Sequence, residues 1–566
     1  TSIRSIAWSA TLPAPPGAAD GEATGRPCRV FAAPPRAPRA TGVQVSSDDA
    51  PWGTIPGMIA ENFRGHHAHR CALVDGDRRF SYAALFDALR VVGARLEAAG
   101  VGAGSPVAIW APNSWRWVVA ALACWWRGAV PVPIPATAKM LEGRPLIERV
   151  DARALFVDES RQDGDIDWQR LFPGRALFSL RERGAGALEA LTDTVSDRRA
   201  TRAGSAPAAV AAEDTCELLL TSGSTGRPKA VIRQHRQVIR NRHGSSLRRG
   251  FRRDDVLLAL APFSHTLGLN GTLLRSLMLG AQLVIAREPS PRGIARAIVE
   301  EGITAISAPP SLFAMLLDLE SPEEPLIRRL RLLSIGSDKL TEGLIARLRA
   351  AGAGAIACGY GMTECESISS ATGAMGSRAL SETVGTPEPG VQVRIVDAGG
   401  RVGGAGEAGE IQVRSYATTV GYFDDPDETA ALYTADGWLK TGDIGRWNED
   451  GLLQVLGRQK DVIIAHGYTL YPADIEQLML HSNLLEAVAV FGIPNALGGE
   501  SCVAAVVPRD PATFAVRELM AWSRRNMSSH KVPARVFAVD RIPCNSNGKV
   551  DRPQLRARCA ALTHDR

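Results

Sequence analysis

The chain lacks any Cys-x-x-Cys pair, is poor in lysine, and has no uninterrupted apolar run long enough to cross a bilayer. Its nine cysteines (Cys28, Cys71, Cys124, Cys216, Cys358, Cys365, Cys502, Cys544, Cys559) are odd in number and widely spaced. That argues against a disulfide framework or a zinc site and sets the expectation of reduced thiols in a cytoplasmic protein. The most apolar stretch, residues 117–132, is broken by Arg127 and Gly128, so no membrane insertion is expected. No apolar signal-peptide core follows Thr1. The net charge of +5 is thin and scattered over 566 residues, which speaks against a nucleic-acid partner. Lysine occurs only at 139, 229, 339, 440, 460, 531 and 549. Each of these therefore draws attention.

A chain of this length calls for more than one compact unit. Residues 1–50, rich in Ala, Pro, Gly and Arg without periodicity, read as a mobile leader. From Phe80 onward, helical apolar spacing alternates with short buried runs: SYAALFDALRVVGARLEAAGV then PVAIWAPN, SWRWVVAALACWW then GAVPVPI. Alternation of this kind implies parallel sheet with helices on both faces. Around Val391 to Ser415 the texture changes to short, glycine-split strands, a small β-rich subdomain. After Gly457 the α/β pattern returns and closes on a helix near Val516 to Arg525. The expected architecture is α/β, with a large unit over 51–459 and a smaller C-terminal α/β unit over 460–566.

The stretch LLLTSGSTGRPKAVIRQH, Leu218 to His235, carries the first chemical signal. Thr221, Ser222, Ser224 and Thr225 offer hydroxyl donors, Gly223 and Gly226 allow turns that bare the backbone N–H groups, and Lys229 adds a cation. Such a loop can wrap an anion, and an apolar strand before it would hold it at a sheet's carboxyl edge. The alternative is a plain Gly/Ser turn. It is not a Walker A loop, because Arg227 and Pro228 separate the last glycine from the lysine.

Further along, in order, stand PFSHTLGLN (Pro262 to Asn270), GYGMTE (Gly359 to Glu364), GEI (Gly409 to Ile411), TGD (Thr441 to Asp443), GRQKDVIIAHGYTLYPADIE (Gly457 to Glu476) and NSNGKVDR (Asn545 to Arg552). Together these motifs resemble the adenylate-forming superfamily of acyl-CoA synthetases, peptide-synthetase adenylation domains and beetle luciferases, over about Phe80 to Leu555. The resemblance implies activation of a carboxylic acid by ATP as acyl-adenylate, then acyl transfer to an acceptor. A carboxylate is already ionised at neutral pH, so this chemistry needs cations and backbone donors rather than a catalytic base.

By the same resemblance the 221–229 loop would hold the β- and γ-phosphates. Tyr360 would lie on adenine, with Gly336, Ser337 and Asp338 lining the same pocket; Asp443 would bind the ribose hydroxyls, joined by Arg458. Thr363 would contact phosphate and Glu364 would bind Mg2+. Lys549 would reach the carboxylate and α-phosphate, Lys460 would act as hinge of a mobile smaller domain, and Gly467 would line the acceptor tunnel. Cys358 and Cys365 flank GYGMTE; they read as small buried apolar residues rather than nucleophiles.

The acid pocket implied by the resemblance is lined by Phe263, His265, Gly268, Leu269, Ser307, Ala308, Pro309, Gly361 and Met362, with His265 at a carboxylate gate. No acidic residue lies between Pro262 and Leu274, which disfavours a free amino acid. The lining suits an aromatic or medium-chain acid. For the acceptor, coenzyme A is favoured by Tyr471-Pro472, while His466-Gly467 replaces the Gly-Gly usual in this family. An amine or a carrier-protein thiol remain the alternatives.

Overall fold

The computed structural model describes residues 50–65, 67–158, 166–181, 189–190, 206–221, 228–321, 323, 325–336, 340, 342–397, 399–458, 463–465, 468–470, 472–494, 500–543 and 554–559. Among the sites expected from sequence, Ser222 to Gly226, Ser337, Asp338, Lys460, Gly467, Lys549 and the leader lie outside these residues, as does the side chain of Arg458.

The βα alternation produces two sheets. A nine-stranded sheet runs in the order Thr386–Pro387, Glu366–Thr372, Ala355–Met362, Leu332–Ile335, Ala305–Ala308, Val256–Ala259, Gln282–Ile285, Cys71–Asp75, Arg78–Ser81. Its six central strands, from Ala355–Met362 to Cys71–Asp75, are parallel. A second sheet has the order Val130–Ile134, Pro106–Trp110, Ala154–Val157, Ala176–Ser179, Glu189–Ala190, also parallel. Helices Tyr82–Ala98 and Trp115–Trp126 pack against each other, and their side chains share one core with strands of both sheets. Each starts on a serine N-cap, where Ser81 accepts from Ala84 N and Ser114 from Trp117 N. Eleven of the second helix's twelve residues are buried, Arg116 being the exception. That explains its apolar sequence on every face, and Trp125 Nε1 finds its partner in the carbonyl of Cys216 at 2.8 Å.

The glycine-split region forms a four-stranded antiparallel sheet, Val391–Val396, Gly409–Ser415, Leu439–Trp447 and Leu453–Arg458. The C-terminal unit has its own core around the sheet Leu485–Pro494, Glu500–Pro508, Arg535–Ala538. Its helix Val516–Asn526 begins at the expected residue.

One short helix joins distant parts of the molecule. At the start of Met140–Arg149, the Glu142 carboxylate accepts from its own N-cap, Lys139 N (3.0 Å), from Ser528 N (3.1 Å) and Oγ (3.0 Å), and from Lys531 Nζ (3.2 Å) of the C-terminal unit. At the other end Arg149 binds the Asp425 carboxylate (2.9 Å) and donates to the carbonyl of Pro228. Among the described residues no helix is long and apolar enough to cross a membrane.

Candidate active site

Parallel strands bring their carboxyl ends to one edge, the usual place for a ligand in an open α/β sheet. There the structure sets side by side the Pro262–Asn270 segment, Ser307 to Pro309, Gly336 and Tyr360 to Met362, as adjacency of their strands requires. A bulge between Tyr360 and Gly361 distorts the last strand, and a Cβ on Gly361 would stand 2.0 Å from the carbonyl oxygen of Glu366. Only glycine fits there. Gly268 is as constrained, since a Cβ would meet the Pro262 carbonyl oxygen at 2.1 Å.

Two expected nucleotide residues meet directly: Tyr360 Oη donates to Asp443 Oδ2 at 2.6 Å. Asp443 is buried, its N–H bonded to Thr441 Oγ1 (3.0 Å), which in turn donates to the Ile411 carbonyl (2.7 Å). Arg458 is its backbone partner across the sheet. A fixed carboxylate beside an aromatic ring is a fitting cradle for a sugar with its base.

Glu364 is also buried and firmly held. Its carbonyl accepts from Thr419 N (2.7 Å) and Arg233 Nη1 (3.3 Å), and its Oε1 accepts from Tyr422 Oη (2.9 Å). Thr363 precedes it in the same turn. Beside this carboxylate, burial pushes the Tyr422 phenol far above its ordinary range, so it stays a donor.

The loop expected to bind phosphate is based differently from the sequence expectation. Thr215–Thr221 is half of an antiparallel hairpin with Lys229–Gln234, not a strand of a parallel sheet, and Thr221 pairs with Lys229 at its end. The reason lies in chain length, for the few residues between the strands suit a hairpin and not a crossover. Lys229 is paired as well, with Glu428 at 2.5 Å and over the Tyr422 ring at 4.8 Å. Sequence reasoning missed Tyr422 and Glu428. The available signal was GYFDDPDET, where Asp425 caps a helix with Pro426 and acidic residues in its first turn.

On the acid side, His265 is exposed to the cleft and caps a short helix by accepting from Leu267 N at 3.2 Å. The protein mass around it disfavours its charged form and lowers its pKa. Phe263 and Leu269 do not face open space: both are fully buried, and Phe263 packs on Trp117 at 5.0 Å. They belong to the core. Met362 is half-buried, Ala308 is buried, and Ser307 is a buried hydroxyl that accepts from Arg275.

Behind these residues is a layer that sequence reasoning also missed. A π-turn, Leu269–Leu274, turns Asn270 inward, where its amide donates to Glu217 (2.6 Å) and Glu366 (2.8 Å). Glu366 is paired with Arg242 and lies 3.7 Å from Arg233. Burial and the neighbouring Glu366 carboxylate raise the Glu217 pKa to about 7. Cys358 and Cys365 are pushed up to about 11 and about 12 by burial, which removes them as nucleophiles.

The candidate site thus holds two buried carboxylates, a lysine clamped at the base of a hairpin and a tyrosine at the sheet edge. The sequence matches the AMP-binding enzyme family over residues 59–423 and the AMP-binding enzyme C-terminal domain over 474–549, and the chain belongs to this adenylate-forming family as an AMP-forming ligase. It is 32% identical over 516 residues to a Mycobacterium tuberculosis propanoyl:CoA ligase named for a methyl-dioxo-octahydroindenyl substituent, covering 89% of this chain and 98% of that relative. Among solved structures it resembles o-succinylbenzoate CoA synthetase (MenE) of Bacillus subtilis, with TM-score 0.74, 25% identity, and 88% and 98% of the two chains covered. It also resembles the amide bond synthetase McbA of Marinactinospora thermotolerans, with TM-score 0.74, 27% identity, and 86% and 97% covered.

Proposed function

We propose that the chain activates an aromatic or medium-chain carboxylic acid and transfers it to coenzyme A. The acid's carboxylate oxygen attacks the α-phosphorus of ATP, pyrophosphate leaves, and the coenzyme A thiol then attacks the acyl carbon and expels AMP. The observation that carries this reading is the Tyr360–Asp443 pair beside the glycine-only position 361, a base-and-ribose seat next to the place an acid must occupy. Lys549 neutralises charge on the α-phosphate during activation, Thr363 assists at phosphate, and His265 borders the carboxylate path.

Among the described residues no cluster of three or more His, Cys, Asp or Glu side chains could hold a metal ion. Glu364 with one carboxylate oxygen committed to Tyr422 still has the other to offer, which fits Mg2+, an ion that takes few protein carboxylates and otherwise phosphates and water. When bound, Mg2+ would neutralise the phosphates of ATP. The units 51–459 and 460–566 would hinge at Lys460, withdrawing Lys549 after activation and bringing Gly467 to the site. A cytoplasmic location agrees with the odd number and wide spacing of the cysteines.

A second reading, an amide synthetase taking an amine directly, is favoured by His466-Gly467 in the acceptor loop and by the likeness to McbA. A carrier-protein thiol is the third acceptor. One experiment separates them: AMP release and product mass from a panel of acids with ATP and Mg2+, alone, with coenzyme A and with simple amines. Coenzyme A stimulation with an acyl-CoA mass supports the first reading. Indifference to coenzyme A with amide formation replaces it with the second.

A further inference from the structure

The far wall of the acid site carries more buried positive charge than the chain neutralises. Arg249, last residue of the helix His235–Arg249, donates to Ser370 Oγ at 2.8 Å and Ser367 Oγ at 2.5 Å. A Cβ on Gly359 would stand 2.1 Å from its Nη2, so the guanidinium lies against the strand that carries Tyr360 and Gly361. Arg275, 1% exposed, follows the π-turn; Nε donates to Ser246 Oγ (2.9 Å) and Nη1 to Ser307 Oγ (3.4 Å), with the Phe251 ring 4.0 Å away. Its Nη2 has no hydrogen-bond partner.

Two nearby arginines each pair with a carboxylate. Arg242 has Glu366, and Arg331 has Asp255 at 2.5 Å. Arg275 has no carboxylate within 4.0 Å among the described residues, and Glu388 alone serves Arg249 at 3.7 Å and Arg248 at 4.0 Å while also accepting from Ser367 and Ser370. Two guanidiniums thus share one carboxylate, and a third has none. Such a buried charge is costly unless something pairs with it. Burial and the neighbouring arginines accordingly push Arg275 well below its ordinary range.

We propose that the acid activated here carries a second carboxylate, held at the far end of the acid site by Arg249 and Arg275. This rests on the acid-activation reading and names the class of acid. A carboxylate can take two parallel N–H bonds from one guanidinium, and the free Nη2 of Arg275 offers the edge for it. Ser307, expected in the acid pocket, already touches the same guanidinium, which ties the arginine to that pocket.

The test is acid-dependent exchange of pyrophosphate into ATP, using matched pairs of acids on one skeleton that end in methyl or in carboxylate. The diacids should be preferred in kcat/KM by about 10- to 100-fold, the range of a charge-assisted hydrogen bond. Arg275→Met should shrink that preference at least about tenfold, chiefly through KM, and Arg249→Lys, which keeps charge but loses the fork, should shrink it less than Arg249→Met. A merely structural arginine would lower both acids of a pair together. Exchange with monoacids but not diacids, or an unchanged ratio in folded Arg275→Met and Arg249→Met, overturns the second carboxylate and leaves activation standing. No exchange with any acid overturns the activation reading itself.

Discussion

The nucleotide side and the acid side of this site balance their charges in opposite ways. On the expected nucleotide side the described charges have partners: Lys229 has Glu428, Arg149 has Asp425, Glu364 has the Tyr422 hydroxyl, and Asp443 has Tyr360. On the acid side Arg248 and Arg249 share Glu388, and Arg275 has no carboxylate within 4.0 Å among the described residues. A seat for an invariant substrate can be complete before that substrate arrives. A seat that must choose among acids leaves its charge open, so that the right acid supplies the missing counter-charge.

Variants on the nucleotide side should therefore slow all acids by one factor. Lys549→Ala carries the largest expected effect, a loss of about 10²- to 10³-fold in adenylate formation. Acyl transfer from a supplied acyl-adenylate should persist, and equal loss in both half-reactions would refute the role given to Lys549. Asp443→Asn comes next, lowering kcat/KM for ATP by about 10- to 100-fold, because one charge-assisted acceptor becomes a neutral one. The factor should be the same for every acid; a change in acid preference would break the division drawn here.

The acid side should instead respond to pH. The Glu217 carboxyl is raised to about 7, above the ordinary 4.5, so between these values the folded chain holds a proton that the unfolded chain has released. Its contribution to stability is fully present below 4.5 and is lost as pH rises through about 7. Glu217→Gln keeps the acceptor for Asn270 and removes the titration. Relative to the parent its melting temperature should climb from about pH 5 to about pH 8, by up to a few degrees per kcal/mol. A constant difference across that range would show that Glu217 does not titrate there. The smallest effect belongs to Glu142→Ala, about 1 kcal/mol in the contact between the two units, seen as earlier proteolysis between them with the melting of the large unit little altered.

How much of this was legible in the sequence follows the same division. The βα alternation, the four-stranded β region and the helix at Val516 come from local periodicity, and they are all present. Tyr360 and Asp443 could be named because they sit in short motifs whose spacing survives in the linear chain. Glu428 stands 199 residues from Lys229, and nothing local marks the two as partners. Arg249 sits in a helix with an ordinary polar pattern, where an arginine reads as surface, while Arg275 is a lone charge at the head of the apolar helix Arg275–Leu279. Only the packing of the Glu366–Thr372 strand and the π-turn against them makes those charges buried. Phe263 fails in the other direction: an aromatic in a pocket motif was placed at the ligand, yet the chain turns it onto Trp117.

The helix Met140–Arg149 has a consequence in time. Its ten residues make a rod of about 15 Å with the smaller unit at one end and the carbonyl of Pro228, just before Lys229, at the other. Any swing of the smaller unit must first take Ser528 and Lys531 off Glu142. Each ~1.4 kcal/mol in that contact lengthens the wait before release about tenfold. Glu142 thus ties the smaller unit to a helix whose far end touches the chain just before Lys229, so a change at either end is felt through one short rod.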